Sequence, residues 1–301
     1  MRRLLNVSAG LALVVAVGLL AAPAPRAAAA EPKNLQLMSW NMCGSRRATW
    51  NCGPYGTPQQ KIDVVRHHVS TNYVQAVLLQ EVCEDDLDAL VGQLGSAWAS
   101  SFAAYQYSSD GELTTTTCGD AGGRTDRIGT AIVVRAGLSS PVTHRTTQPW
   151  TGLNRPFHCA TATYWGIRLC DVHLTPAHGN PDHPDWEYAD DQLREIKAVV
   201  DGYPAVAFGG DFNVTPPEYG HPSPNPRAWL WPDGLYGAAG SPGYTECDQD
   251  PSSPLRTGRA THAEWGKLDH IFSTEAPRWC AVARSAYSDH SVMIFSMAVS
   301  P

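Results

Sequence analysis

The chain has 301 residues, 43% of them hydrophobic and 17% charged, with a formal net charge of −7 and eight cysteines. A chain of this length buries a substantial core without staples, and its composition excludes collagen-like, coiled-coil and disordered classes. The acidic balance argues against a partner held by bulk attraction to a polyanion, but not against an enzyme that meets phosphate through a metal.

The first thirty residues read as a secretory signal peptide. Met1-Arg2-Arg3 is a basic start, Leu11 to Ala22 an apolar run, and Ala28-Ala29-Ala30 an A-x-A site before Glu31. The run is too short for a membrane span. What remains, residues 31–301, is expected to fold as one secreted, extracellular domain, with net charge −10 once the three arginines of the signal are gone.

Asn34 to Trp40 alternates as a strand does, and a polar, Gly-rich loop follows to Pro58. Lys61 to Ser70 carries Ile62, Val65 and Val69 at helical spacing. Ala76 to Gln80 is a continuous apolar run, the mark of a strand buried on both faces. Glu84 to Leu94 is predicted helical, with acids in its first turn. Residues 108–125 are polar and Gly/Thr-rich, which predicts a surface loop. Ile128 to Arg135, Phe157 to Tyr164 and Ile167 to Val172 read as strands, the last two joined by a turn at Trp165-Gly166. Tyr188 to Val200 is predicted helical and Ala205 to Phe208 a buried strand. Residues 214–264 are Pro- and Gly-rich and mostly loop. Leu268 to Phe272 and Val292 to Met297 close the chain as strands. Strands recur throughout with helices between them, which predicts one α/β domain with two sheets packed face to face.

All eight cysteines lie after the signal, and an even count in an exported chain reads as disulfides. Cys159 and Cys170 lie on adjacent strands of one hairpin and are expected to pair. Cys247 is paired with Cys280 on the weaker ground that both lie in the C-terminal third. Cys43, Cys52, Cys83 and Cys118 leave three connectivities open.

Polar residues repeatedly follow or interrupt apolar strands: Asn41, Glu81, His173, Asp211 with Asn213, Asp269 with His270, and Asp289 with His290. One such residue marks where a chain leaves the core. Six such sites on converging strand ends suggest a shared site. Carboxylates and amide oxygens suit a hard divalent cation such as Mg²⁺, with Mn²⁺ or Ca²⁺ as alternatives. The histidines suit proton handling near neutrality. No nucleophilic serine turn is visible, so metal-assisted attack of water on a phosphate ester is the chemistry expected.

Ser39-Trp40-Asn41, Leu79-Gln80-Glu81-Val82, Asp171-Val172-His173-Leu174, Gly209-Gly210-Asp211-Phe212-Asn213, Leu268-Asp269-His270-Ile271 and Ser288-Asp289-His290 together resemble the ordered motifs of the endonuclease/exonuclease/phosphatase superfamily. The resemblance runs from about residue 35 to 298. It implies the deoxyribonuclease I-like four-layer fold, a two-sheet β-sandwich flanked by helices. Arg127 to Ala131 is most similar to the nuclease branch that includes the cytolethal distending toxin B subunit. Gln192 to Ile196 and Gly209 to Val214 are also similar to bacterial sphingomyelinases.

The resemblance also implies roles. Glu81 is expected as a direct metal ligand with Asn41 beside it, and Asp289 binds metal or water. Asp211 orients or deprotonates the attacking water, and Asn213 holds the phosphate. His173 contacts phosphate or the leaving oxygen, and His290 bonds a non-bridging oxygen with Asp269 behind it. His270, His67, His68, His158 and His262 are expected to be structural or surface residues. His178 and His183 follow His173 closely enough to touch substrate. Two arginines that the family often carries are replaced by Cys43 and Cys83, which weakens a DNA reading unless Arg46, Arg47, Arg124 or Arg127 compensates. The expectation is a monomeric, secreted phosphodiesterase acting on nucleic acid. The alternatives are a lipid phosphodiesterase of the sphingomyelinase or phospholipase C kind, whose membrane contact would use Trp229 and Trp231, a phosphomonoesterase, and a binding module on an inactive scaffold.

Overall fold

The computed structural model describes residues 31–120, 123–176, 187–221, 225–241 and 243–300; the signal-peptide expectation, His178 and His183 lie outside them. Its helices are α1 (Pro58–Thr71), α2 (Glu84–Leu94) and α3 (Tyr188–Val200). In chain order the strands are β1 (Lys33–Asn41), β2 (Ala76–Cys83), β3 (Trp98–Ala104), β4 (Gln106–Ser109), β5 (Glu112–Thr115), β6 (Ile128–Arg135), β7 (Leu138–His144), β8 (Gly152–Asn154), β9 (Phe157–Ala162), β10 (Ile167–His173), β11 (Val206–Asp211), β12 (Thr245–Glu246), β13 (Asp269–Ser273), β14 (Pro277–Ala283) and β15 (Val292–Val299).

One sheet runs β14-β15-β1-β2-β6-β3 and a second β12-β13-β11-β10-β9-β7, while β5-β4-β8 make a small third sheet. Each large sheet holds one parallel pair among antiparallel neighbours, β1 with β2 and β10 with β11. A parallel pair needs a crossover, and α1 and α3 provide the two. Thr57 and Gln60 cap α1 reciprocally with Pro58 in its first turn, so the helix starts three residues before the expected Lys61. Glu84, Asp85 and Asp86 meet the positive end of α2.

Side-chain parity builds the layers. On β1, Leu35 and Leu37 face inward to meet Leu169, Ile271 and Phe295 between the sheets. Met38 and Trp40 face outward, under Ile62 and Val65 of α1 and Leu87 and Leu90 of α2. Leu193, Ile196 and Val200 of α3 cover Phe208 and Phe272 on the far side of the second sheet. The result is the expected helix–sheet–sheet–helix sandwich.

Several local expectations are corrected. The stretch expected as loop at 108–125 contains most of the β4–β5 hairpin, held by pairing with β8 and not by any apolar alternation of its own. β3, β7 and β14 were not legible because they lie at sheet edges and mix small, polar and exposed residues. Trp231 is buried against Phe212, not available to a membrane, although Trp229 is 46% exposed.

The cysteines pair as Cys43–Cys52, Cys83–Cys118, Cys159–Cys170 and Cys247–Cys280, with Cα separations of 5.2, 5.6, 4.0 and 5.3 Å. All lie within the limit of about 7 Å for a disulfide.

The buried ring of His158 on β9 reaches Ser101 of β3 through Nε2 at 2.7 Å and Thr143 of β7 through Nδ1 at 3.1 Å, tying the edges of the two sheets together. Burial, then the neighbouring Arg168, hold the ring down to about 4, against about 6.5 in an unfolded chain. The folded state therefore favours the neutral ring. Its contribution is whole above pH about 6.5 and is lost as pH falls toward 4, a change of roughly 3 kcal/mol. Thermal denaturation between pH 7 and 4 should show His158→Gln less stable than wild type at pH 7 and less sensitive to acid. Parallel pH profiles would refute this.

Candidate active site

The same parity that builds the core points functional groups at one rim. Continuing the inward rows of β1, β10 and β11 past their last apolar residues places Asn41, His173 and Asp211 facing the gap between the sheets, at the carboxyl ends of the two parallel pairs. The antiparallel neighbours begin at this rim. Asp269 opens β13 opposite Asp211, and Asp289-His290 lead into β15 beside β1. A cavity of about 630 Å³ opens there, lined by Asn41, Glu81, His173, Asp211, Asn213, Asp289 and His290. Asp269 stands behind His290, while His270 points away into an aromatic cluster and bonds the Val214 carbonyl through Nε2 at 3.0 Å.

Glu81 breaks the parity. Gln80 occupies the inward position, and β2 shifts register between Leu79 and Val82. Glu81 takes a left-handed φ of 53° in this irregularity. Such bulges re-aim side chains and recur beside active sites. The Gly209-Gly210 pair before Asp211 is also a steric requirement. Gly210 has φ 144°, and a Cβ there would lie 1.8 Å from the Val172 carbonyl oxygen.

Hydrogen bonds fix the protonation pattern. Asp211 Oδ1 accepts from Asn213 N at 2.9 Å and Oδ2 from Asn41 Nδ2 at 3.2 Å. His173 Nε2 and His290 Nε2 approach the same Oδ2 at 3.5 and 3.6 Å. His290 Nδ1 donates to Asp269 Oδ2 at 2.8 Å. Burial opposes charge on His290, but Asp269, Asp211 and Asp289 around it prevail and lift the ring to about 10. His173 is the opposite case. Burial, then Arg155 and His290, hold it well below the usual histidine value. The Tyr105 hydroxyl accepts from the Glu81 amide at 3.1 Å and lies 2.7 Å from His173 Nδ1. Nε2 faces the Asp211 carboxylate and the hydroxyl directs its own proton to Nδ1, so the neutral ring carries its proton on Nε2. The rim thus presents one cationic and one neutral imidazole donor.

Burial lifts the Glu81 carboxyl to about 7, against the pull of Arg155 and His290. Among the described residues no proton donor reaches that carboxylate, which lies against the Cys43–Cys52 disulfide, with Cys52 Sγ 3.7 Å away. Asn41 Oδ1 accepts from Cys43 N at 3.0 Å and keeps a second lone pair. An undonated, partly buried carboxylate beside an amide oxygen and Asp289 fits a hard divalent cation.

Three neighbours of the site escaped the sequence reading. Arg155 lines the cavity and acts electrostatically on Glu81 and Asp211. Tyr105 orients His173. His262, expected to be a surface or packing residue, is buried with Nε2 3.6 Å from Asp289 Oδ2. Of the arginines expected to compensate, Arg47 lines the cavity, held by Thr117. Arg46 bonds the Gly56 carbonyl, while Arg124 is paired with Asp86 and Asp126, and Arg127 with Glu84.

The model of the Endonuclease/Exonuclease/phosphatase family matches residues 38–290. No curated protein matches. Among solved structures, the human Nocturnin catalytic domain with bound sulfate is 14% identical, over 90% of this chain and 96% of that one, with TM-score 0.58. A humanized D. rerio TDP2 is 15% identical, over 87% and 98%, with TM-score 0.56. The Neisseria 3′ phosphatase NExo, bound to a product DNA hairpin, is 15% identical, over 87% and 99%, with TM-score 0.52. At such identities the likeness is one of fold.

Gly210→Ala should destabilise the protein by more than about 3 kcal/mol, because a rigid carbonyl and a φ foreign to alanine both oppose it. Urea unfolding measures this; a loss under about 1 kcal/mol would show that β10 and β11 can separate.

Proposed function

The chain belongs to the Endonuclease/Exonuclease/phosphatase family and is a metal-dependent phosphoric ester hydrolase, and from that premise we propose that it is a secreted phosphodiesterase cleaving nucleic acid. The observation that carries the reading is the convergence at one cavity of an oxygen donor set, a cationic and a neutral imidazole, and two arginines.

Glu81, Asn41 and Asp289 would hold the ion, Mg²⁺ being the first choice. When bound, it supplies Lewis-acid polarisation of the phosphoryl group. Asp211, held by Asn41 and Asn213 N, takes the proton of the attacking water. His290, cationic and braced by Asp269, donates from Nε2 to a non-bridging oxygen. His173 donates its Nε2 proton to the phosphate or the leaving oxygen. Asn213 holds the phosphate, its Nδ2 steadied by the Leu174 carbonyl at 3.0 Å. Arg155 and Arg47 supply the positive charge that the positions of Cys43 and Cys83 do not. Such division suits phosphoryl transfer, where a protein mainly positions groups and stabilises charge.

The cavity wall favours a nucleic acid. Thr114, Tyr107 and Leu153 lie in register across β5, β4 and β8 and all line the cavity, so one face of the small sheet presents a half-exposed ring, an alkyl group and a hydroxyl. A tyrosine ring stacks on any base. A second reading, a lipid phosphodiesterase, is favoured by Trp150 and Leu113 near the same sheet, 68% and 54% exposed. Four disulfides and a basic and apolar first thirty residues support export.

One panel separates these readings: plasmid DNA, RNA, sphingomyelin, phosphatidylcholine and a phosphomonoester, each with and without EDTA. DNA or RNA should be cleaved, EDTA should abolish turnover, and Glu81→Gln should lose most of it. Preferential turnover of sphingomyelin moves the reading to lipid, and full activity in excess chelator overturns the mechanism. His173→Ala and His290→Ala should each cost about 10²-fold or more. Asp269→Asn should cost much of the His290 loss, with the double variant little worse than the worse single. Additive losses would show that Asp269 and His290 act independently.

A further inference from the structure

The segment Thr261-His262-Ala263 touches two parts of the site. Thr261 Oγ1 accepts from the amides of Leu268 and Asp269 at 2.9 Å each, and the Ala263 amide donates to the Asp289 carbonyl at 2.9 Å. Between them His262 Nδ1 accepts from the backbone amides of Glu264 and Trp265, both at 3.0 Å. A ring nitrogen that accepts carries no proton, so the neutral ring bears its proton on Nε2. That Nε2 stands 3.6 Å from Asp289 Oδ2, and the ring packs edge-on against His290 with centroids 4.7 Å apart. His262, Asp289 and His290 are close enough to resemble a nitrogen-rich metal site. A protonated Nε2 has no lone pair to give, and Nδ1 is taken by the two amides.

We infer that His262 is a positioning residue that donates from Nε2 to Asp289, aims that carboxylate into the cavity, and stays outside the metal ligand set. The inference rests on the reading of Asp289 as an oxygen ligand of a divalent cation. At 3.6 Å the approach is longer than a hydrogen bond, and contacts of this kind tighten as a site is loaded. Histidine ligands are commonly oriented by carboxylates; here the relation is inverted, and a histidine orients a carboxylate.

Two substitutions separate this role from a structural one. In His262→Asn the short amide oxygen still accepts from the amides of residues 264 and 265, as an Asx turn does, but does not reach Asp289. In His262→Gln the longer amide reaches Asp289 and forfeits the turn. Mn²⁺ binding to the residue 31–301 protein, followed by electron paramagnetic resonance, should weaken about 10-fold or more in His262→Asn, while its melting temperature stays near wild type. His262→Gln should melt lower and bind Mn²⁺ near wild-type strength. Nitrogen chemical shifts of the wild-type ring should show the Nε2–H tautomer. Glu81→Gln is the control on the metal reading. Wild-type Mn²⁺ affinity in His262→Asn, weakened affinity in His262→Gln, or an Nδ1–H tautomer, overturns the inference and leaves the metal reading standing. Unchanged affinity in Glu81→Gln overturns that reading, and the inference with it.

Discussion

Gln80 Nε2 donates to Asp171 Oδ1 at 2.6 Å across the apolar space between the two sheets. Both residues are wholly buried, and burial holds the Asp171 carboxyl well above the usual carboxylate range. Burial thus disfavours charge on the carboxyl, which accepts from the neutral amide across the gap. Apolar burial favours contact between the sheets without itself naming one direction of approach, because it is not directional. A single directed bond removes that freedom. Gln80 precedes Glu81, and Asp171 lies two residues before His173, so the bond sets how the oxygen donors of one sheet face the histidine of the other. The 3.2 Å bond from Asn41 to Asp211 repeats the linkage at the rim.

The two imidazoles show how one rim keeps histidines in different states. Three carboxylates overcome burial at His290. His173 has one carboxylate within reach, Asp211, and burial with Arg155 and the cationic His290 beside it prevails. Position relative to charge, not residue type, decides which ring is the cation. Asp211 lies between them as common acceptor.

Much of this was legible in the sequence, for a physical reason. Central strands are buried on both faces, so Ala76-Val77-Leu78-Leu79 stands out as an apolar run, and a polar residue at its end marks the rim. Asp269 and His290, twenty-one positions apart, could be linked only through the resemblance, since β13 and β15 meet only in tertiary structure. Edge strands such as β7, with four successive exposed residues, carry no such pattern. Arg155, Tyr105 and His262 were opaque for another reason. Each follows or lies in a connection whose path is fixed by pairing, disulfides or turn amides, and nothing in the local sequence says that the turn at 262–265 folds back beneath Asp289. Parity also fails at Glu81, where register changes and the backbone leaves the strand region.

That irregularity sets folding and chemistry against each other at one codon. A left-handed φ costs most residues about 1 kcal/mol or more, and glycine and asparagine bear it best. Glycine or asparagine at 81 relieves the backbone and removes a partly buried acid, but discards the carboxylate proposed to hold the ion. A lineage or library sieved for thermal endurance alone would drift toward those residues, keeping the fold and disulfides while discarding the proposed metal carboxylate. Persistence of glutamate at such a position among natural variants would then record selection for turnover, because nothing in the folding of β2 asks for it.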